Sequence, residues 1–173
     1  FDINFLQKLR AVTASLDIAL IFDEIITGFR SHPGGVQAIA NVQADMATYG
    51  KVIGGGMPIG IVAGSKKYMD AVDGGEWHHG DDSHPMVHQT FFGGTFSKHP
   101  LTLVSIKAAL TKMEQEGPAL QDRTNELCTR MRTELNAFFE SVQVPIRMFS
   151  FSSLFRFKTI TPEYNMLLRP IEI

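Results

Sequence analysis

Residues 18–24 read Ile18-Ala19-Leu20-Ile21-Phe22-Asp23-Glu24. An unbroken apolar run of strand length predicts a strand buried on both faces, as in a parallel sheet. Two carboxylates close the run. In open α/β sheets, ligands bind outside the carboxyl ends of the strands. Asp23 therefore stands where a ligand-contacting acid is expected. The other reading of Asp23 is a solvated loop acid or a helix cap.

Upstream of this strand, Ile3, Leu6 and Leu9, with Phe5 and Val12 adjoining, recur at helical spacing and predict an amphipathic helix over 3–14. Downstream, Ser31-His32-Pro33-Gly34-Gly35 reads as a loop. Short strands are expected over 47–53 and 59–63, and a short helix over 66–72. Residues 73–99 are dominated by Gly, His, Asp, Ser and Pro and read as a long loop, a kind of segment that is usually functional or disordered. Pro100 suits the first turn of a helix running to about Glu116, with Leu103, Val104, Ala108 and Met113 near one face. Gly117-Pro118 ends that helix and begins another, striped by Leu120, Leu127, Met131, Leu135, Phe138 and Val142. Residues 144–151 and 153–158 read as two strands. The class is α/β, with the best boundary at Gly117-Pro118.

Composition narrows the function. The 173 residues carry 16 Lys+Arg against 18 Asp+Glu, a net charge of −2. That balance offers no basic footprint for nucleic acid and no polybasic membrane patch. No apolar run approaches the roughly 20 residues of a spanning helix. The one cysteine, Cys128, excludes an intramolecular disulfide and a cysteine-cluster metal site, and fits a reducing, cytoplasmic compartment. It reads as a small packing residue. The start, Phe1-Asp2-Ile3-Asn4, has neither an initiator Met nor a basic n-region, and the end, Arg169-Pro170-Ile171-Glu172-Ile173, has no polar tail. Both ends read as those of a piece cut from a longer chain.

Lys51 lies 28 residues after Asp23, beside Gly54-Gly55-Gly56. A lysine beside glycines is commonly a surface residue in a turn. The functional reading is that the glycines allow a tight turn while apolar neighbours partly desolvate the amine, making it a usable nucleophile. A nucleotide P-loop is excluded, because Gly50-Lys51 is followed by Val52 rather than Ser or Thr, and Asp45 occupies the required upstream glycine position.

Together, Phe22-Asp23-Glu24-Ile25-Ile26-Thr27-Gly28-Phe29-Arg30 and Gly50-Lys51-Val52-Ile53-Gly54-Gly55-Gly56-Met57-Pro58-Ile59-Gly60 form a double motif. It resembles the class III aminotransferases, which bind pyridoxal phosphate (PLP), with the glutamate-1-semialdehyde aminomutases as general relatives. The resemblance implies fold type I. Residues 1–117 would be the later part of the PLP-binding large domain, a mostly parallel sheet flanked by helices. Residues 118–173 would begin an α+β small C-terminal domain. It also implies that Lys51 holds PLP covalently and moves the substrate proton. Asp23 would pair with the pyridine nitrogen and Ile25 would pack on the ring. Thr95, after Gly94, would bind the phosphate in the partner subunit, which implies a homodimer. An amino-acid donor and a keto acceptor are the implied substrates.

Phe96-Ser97-Lys98-His99-Pro100 departs from the family's usual run after that threonine. With Gln89-Thr90-Phe91-Phe92 it resembles the aminotransferase domains of polyketide/peptide synthases such as the microcystin and nodularin synthetases, which act on a carrier-bound acyl chain. The in-family alternative is an aminomutase; the alternative outside it is a non-catalytic relative. His78, His79, Asp81, Asp82, His84 and His88 suit a divalent ion chemically, but their spacing matches no zinc pattern. They read as a polar loop near the entrance of the site, and no metal is expected. Arg30 and Lys98 read as surface or ion-pair residues.

Overall fold

The computed structural model describes residues 2–161. Helix α1 (Ile3–Ser15) starts at Asp2, whose Oδ1 accepts the Phe5 N–H at 3.1 Å, a side-chain cap for an otherwise orphaned donor. It lays Leu6 and Leu9 on a small core of Leu20, Ala40 and Val42, joined by Phe22 and Ala44. The next elements are β1 (Ile21–Asp23), α2 (Gly35–Ala40), β2 (Met46–Gly50), a 3-10 turn (Lys51–Gly54), β3 (Gly60–Gly64) and α3 (Lys66–Asp73). Residues 74–99 hold no helix or strand. Then come α4 (Pro100–Glu116), α5 (Ala119–Ser141) and the antiparallel hairpin of β4 (Ile146–Phe151) and β5 (Leu154–Thr159). The expectations for residues 162–173 fall outside the described residues.

Strands β1 and β2 are parallel, with Ile21 opposite Met46, Phe22 opposite Ala47 and Asp23 opposite Thr48. Asp45 sets this register. Its Oδ2 accepts the Leu20 N–H at 2.8 Å and the Arg10 guanidinium at 2.7 Å, and its own N–H donates to Leu20 O at 2.9 Å. The Leu20 N–H, followed by Arg10, holds the Asp45 carboxyl below the usual carboxylate range. Strand β3 runs antiparallel to β2. The connection over 51–59 is shorter than the dozen or so residues a parallel crossover needs, so the sheet carries one parallel and one antiparallel pair.

Side chains alternate across the sheet. Leu20, Phe22 and Ala47 face the core beneath α1 and α2, whereas Ile21, Asp23, Thr48 and Val62 share the opposite face. Among the described residues no helix covers that face, and Ile21 is 57% exposed. The expectation of a strand buried on both faces is therefore corrected: β1 is a three-residue edge strand, covered on one side. A second correction concerns the strand expected to reach Ile53. It stops at Gly50, because Lys51 takes φ +49 and turns the chain out of extended geometry.

Helix α5 packs on β4 through Asn136. Its Nδ2 donates to Met148 O at 3.0 Å, and its Oδ1 accepts the Met148 N–H at 2.8 Å. Cys128 is buried and free. The stripe expected on α5 is only partly covered, since Leu127, Phe138 and Val142 are exposed. At its other end α5 grips the segment after β1. Gln121 Nε2 donates to Phe29 O at 2.9 Å and Asn125 Nδ2 to Ser31 O at 3.0 Å.

Candidate active site

The β1–α2–β2 unit brings Asp23 and Lys51 to the carboxyl ends of two neighbouring parallel strands. Asp23 is exposed on the open face. Its Oδ1 accepts two donors, the Ile25 N–H at 3.0 Å and the Thr48 hydroxyl at 3.2 Å. Its Oδ2 has no partner among the described residues. Ile25 lies over Gly50, where an added Cβ would stand 3.4 Å from Ile25 Cγ2 and 3.0 Å from Ile59 O. Lys51 follows directly. Its side chain is exposed and its amine is unpaired among the described residues, so the apolar desolvation expected from the sequence is not present in this chain.

The glycine run beyond Lys51 is held by α4. Ser105 Oγ donates to Gly54 O at 2.8 Å, and a Cβ at Gly55, which has φ +59, would meet that oxygen at 2.7 Å. Gly94 and Thr95 lie elsewhere. They line a groove of about 720 Å³ whose walls include Pro58–Val62, Phe96, Lys98 and Leu103. Asp23, Ile25 and Lys51 do not line it; Asp23 and Ile25 are joined by a hydrogen bond and Ile25 lies against Gly50, the neighbour of Lys51, whereas Gly94 and Thr95 stand apart. Arg30 donates to Ile26 O at 3.2 Å, within its own turn. In the histidine loop, Ser83 bonds Asp81 and the His78 backbone. No cluster of three metal-ligating side chains occurs among the described residues.

Beneath the site lies a residue the sequence reading passed over. Glu24 is 1% exposed. Its Oε2 accepts the Thr27 hydroxyl at 2.5 Å and its Oε1 accepts the Gln37 N–H at 3.1 Å. Gln37 in turn reaches Tyr49 Oη at 3.2 Å. Burial first, and then the charge of Glu24, push the Tyr49 phenol up. The signal available in the sequence was parity, since Glu24 falls on the same face as Leu20 and Phe22. Thr48 was also missed, because its place opposite Asp23 depends on the register.

The family model for class-III aminotransferases matches residues 2–148. The chain belongs to that family. It is 37% identical over 152 residues to the glutamate-1-semialdehyde 2,1-aminomutase of Archaeoglobus fulgidus, covering 88% of this chain and 33% of that protein. It is 41% identical over 115 residues to the same enzyme of Sulfolobus acidocaldarius, covering 66% of this chain and 24% of that protein. An omega-transaminase from Sphaerobacter thermophilus superposes with a TM-score of 0.73 at 34% identity, over 91% of this chain and 33% of its own. A transaminase with PLP bound gives 0.72 at 25% identity, over 89% and 33%. The chain thus spans between a quarter and a third of the length of these relatives, and it has the fold of part of the type I large domain.

Proposed function

We propose that the chain carries the acid and the anchoring lysine of a PLP-dependent aminotransferase. The observation that carries this reading is the juxtaposition of Asp23 and Lys51 at the ends of adjacent parallel strands. A carboxylate oxygen and a primary amine without partners among the described residues, with an aliphatic side chain between their backbone positions, suit a protonated ring nitrogen, an aldehyde and an apolar ring face. The family and its PLP-bound member indicate pyridoxal phosphate as the cofactor. When bound, it supplies an electron sink that lets an amino group pass between carbon skeletons. Asp23 would hold the proton on the ring nitrogen, Lys51 would anchor the cofactor and serve as the base and acid at the substrate carbon, and Ile25 would cover the ring.

Residues 1–117 belong, in this reading, to the large domain, and 118 onward to the small one. Gly94 and Thr95, in their separate groove, bind the cofactor phosphate of a second subunit in a homodimer, where hydroxyl and backbone N–H groups suit an oxyanion. The acceptor is a keto group on a carrier-bound acyl chain. The support for this acceptor is the run Phe96-Ser97-Lys98-His99-Pro100 with Gln89-Thr90-Phe91-Phe92. The aminomutase reading is favoured instead by the 37–41% identity to aminomutases.

Borohydride reduction of the PLP-loaded full-length protein, followed by peptide mass mapping, tests the cofactor assignment. Label on Lys51 is expected, and no selective label would overturn it. Assays with a carrier-bound β-ketoacyl thioester plus amino-acid donor, against glutamate-1-semialdehyde, separate the two substrate readings. Turnover of the semialdehyde alone would sink the carrier-bound one.

A further inference from the structure

Asp23 and Thr48 are paired across the parallel ladder, so their side chains leave the sheet on the same face. Thr48 is half-buried there and Asp23 is exposed. An ionised carboxylate only accepts hydrogen bonds, which assigns the proton of the 3.2 Å contact to the Thr48 hydroxyl. The Ile25 N–H reaches the same oxygen at 3.0 Å. Two donors converge on Oδ1, one of them the Thr48 hydroxyl across the ladder, and Oδ2 has no partner among the described residues. The other β2 residues on this face, Met46 and Gly50, have no side-chain donor to offer. The Asp45–Leu20 bonds set the register and so place Thr48, rather than a neighbour, opposite the acid.

We propose that Thr48 is a positioning residue for the ring-nitrogen acid: its hydroxyl locks the Asp23 carboxylate so that Oδ2 alone is presented to the cofactor. This rests on the cofactor reading above. Thr48 touches neither the anchoring amine nor the reacting atoms. It acts through Asp23, so its removal changes how firmly the ring end is held and the pH at which the ring nitrogen keeps its proton.

The test uses the full-length protein and the variants Thr48→Val, Thr48→Ser and Thr48→Ala. Three quantities are read: borohydride trapping at Lys51, the PLP dissociation constant by equilibrium dialysis, and the pH midpoint of the bound cofactor's visible absorbance. A hydrogen bond to a charged group is worth more than a neutral one, so its loss is expected to weaken PLP retention about tenfold. Thr48→Val shows that loss and displaces the absorbance midpoint from the wild-type value, while Thr48→Ser stays within about twofold of wild type in retention and keeps the midpoint. A purely structural threonine would change the thermal midpoint and leave the absorbance midpoint in place. A Val variant matching wild type in both PLP retention and midpoint overturns the proposal, as does a Ser variant that falls as far as Val. Where Thr48→Val does not fold, Thr48→Ala read against Thr48→Ser decides on the same criteria. Wild-type protein that is not trapped at Lys51 overturns the cofactor reading itself. Trapping with an unchanged Val variant overturns only the role of Thr48.

Discussion

Lys51 adopts φ +49, a left-handed backbone that costs an L-residue with a side chain roughly 1 kcal/mol or more. Glycine takes that conformation freely, and Gly54, Gly55 and Gly56 stand close by. The chain nonetheless places a lysine at the turn, which is the arrangement the proposed cofactor role of Lys51 would require. Lys51→Gly is expected to abolish borohydride trapping while leaving the thermal midpoint within a few degrees of wild type. A large drop in the midpoint would show that the lysine also supports the fold. Gly35 presents the opposite case. It has φ +67, and a Cβ there would stand 2.5 Å from Glu24 Oε1. Gly35→Ala is expected to cost about 2 kcal/mol or more, from backbone strain and displacement of the buried carboxylate, measured by chemical denaturation. A neutral Gly35→Ala would mean that Glu24 is not confined as described.

At the scale of elements, Asp45 ties β1 to β2. Its carboxyl titrates lower in the folded protein than the ordinary value of about 3.9. The stability it contributes is therefore complete above that value and is lost as pH falls through the lowered one. Asp45→Asn should lower stability most at neutral pH, with the difference from wild type shrinking as pH falls below about 4, so that the variant's acid limb is the flatter one. An unchanged acid limb would rule out this linkage. The elements themselves were largely legible from the sequence, because Pro100, Gly117-Pro118 and the helical spacing over 120–142 are local signals. The sidedness of β1 was not. An unbroken apolar run says nothing about whether a second layer lies within the same chain, and here Ile21 has none. The end of β2 escaped for a similar reason: a left-handed lysine leaves no mark on hydrophobic periodicity. Asp23, Ile25 and Lys51 were legible as a motif, whereas Thr48 and Glu24 act through register and parity, which emerge only once the strands are paired.

For the whole molecule, the uncovered sheet face and the loop residues Phe91 and Phe96, 92% and 82% exposed, leave much apolar surface in contact with water. Among the described residues β1 is also an edge strand, with no strand paired to its outer side. The 173-residue chain alone is expected to bind a hydrophobic dye and to aggregate, measured by light scattering during refolding. A cooperative thermal transition with no dye binding would overturn that expectation. The gripping of Phe29 O and Ser31 O by Gln121 and Asn125 spans more than 90 residues of sequence, whereas Asp23, Thr48 and Lys51 come together within a single β1–α2–β2 unit.

That difference in span sets an order of events. Closing a short loop costs less entropy than closing a long one, and local contacts form sooner than distant ones. The acid and the amine should therefore meet before α5 arrives to clamp the segment beside them. In pulse-labelled hydrogen exchange during refolding, the Glu24 and Asp45 amides should gain protection ahead of the side-chain amide protons of Gln121 and Asn125, which donate to Phe29 O and Ser31 O. Simultaneous protection would indicate that the site half and the clamp form as one cooperative unit.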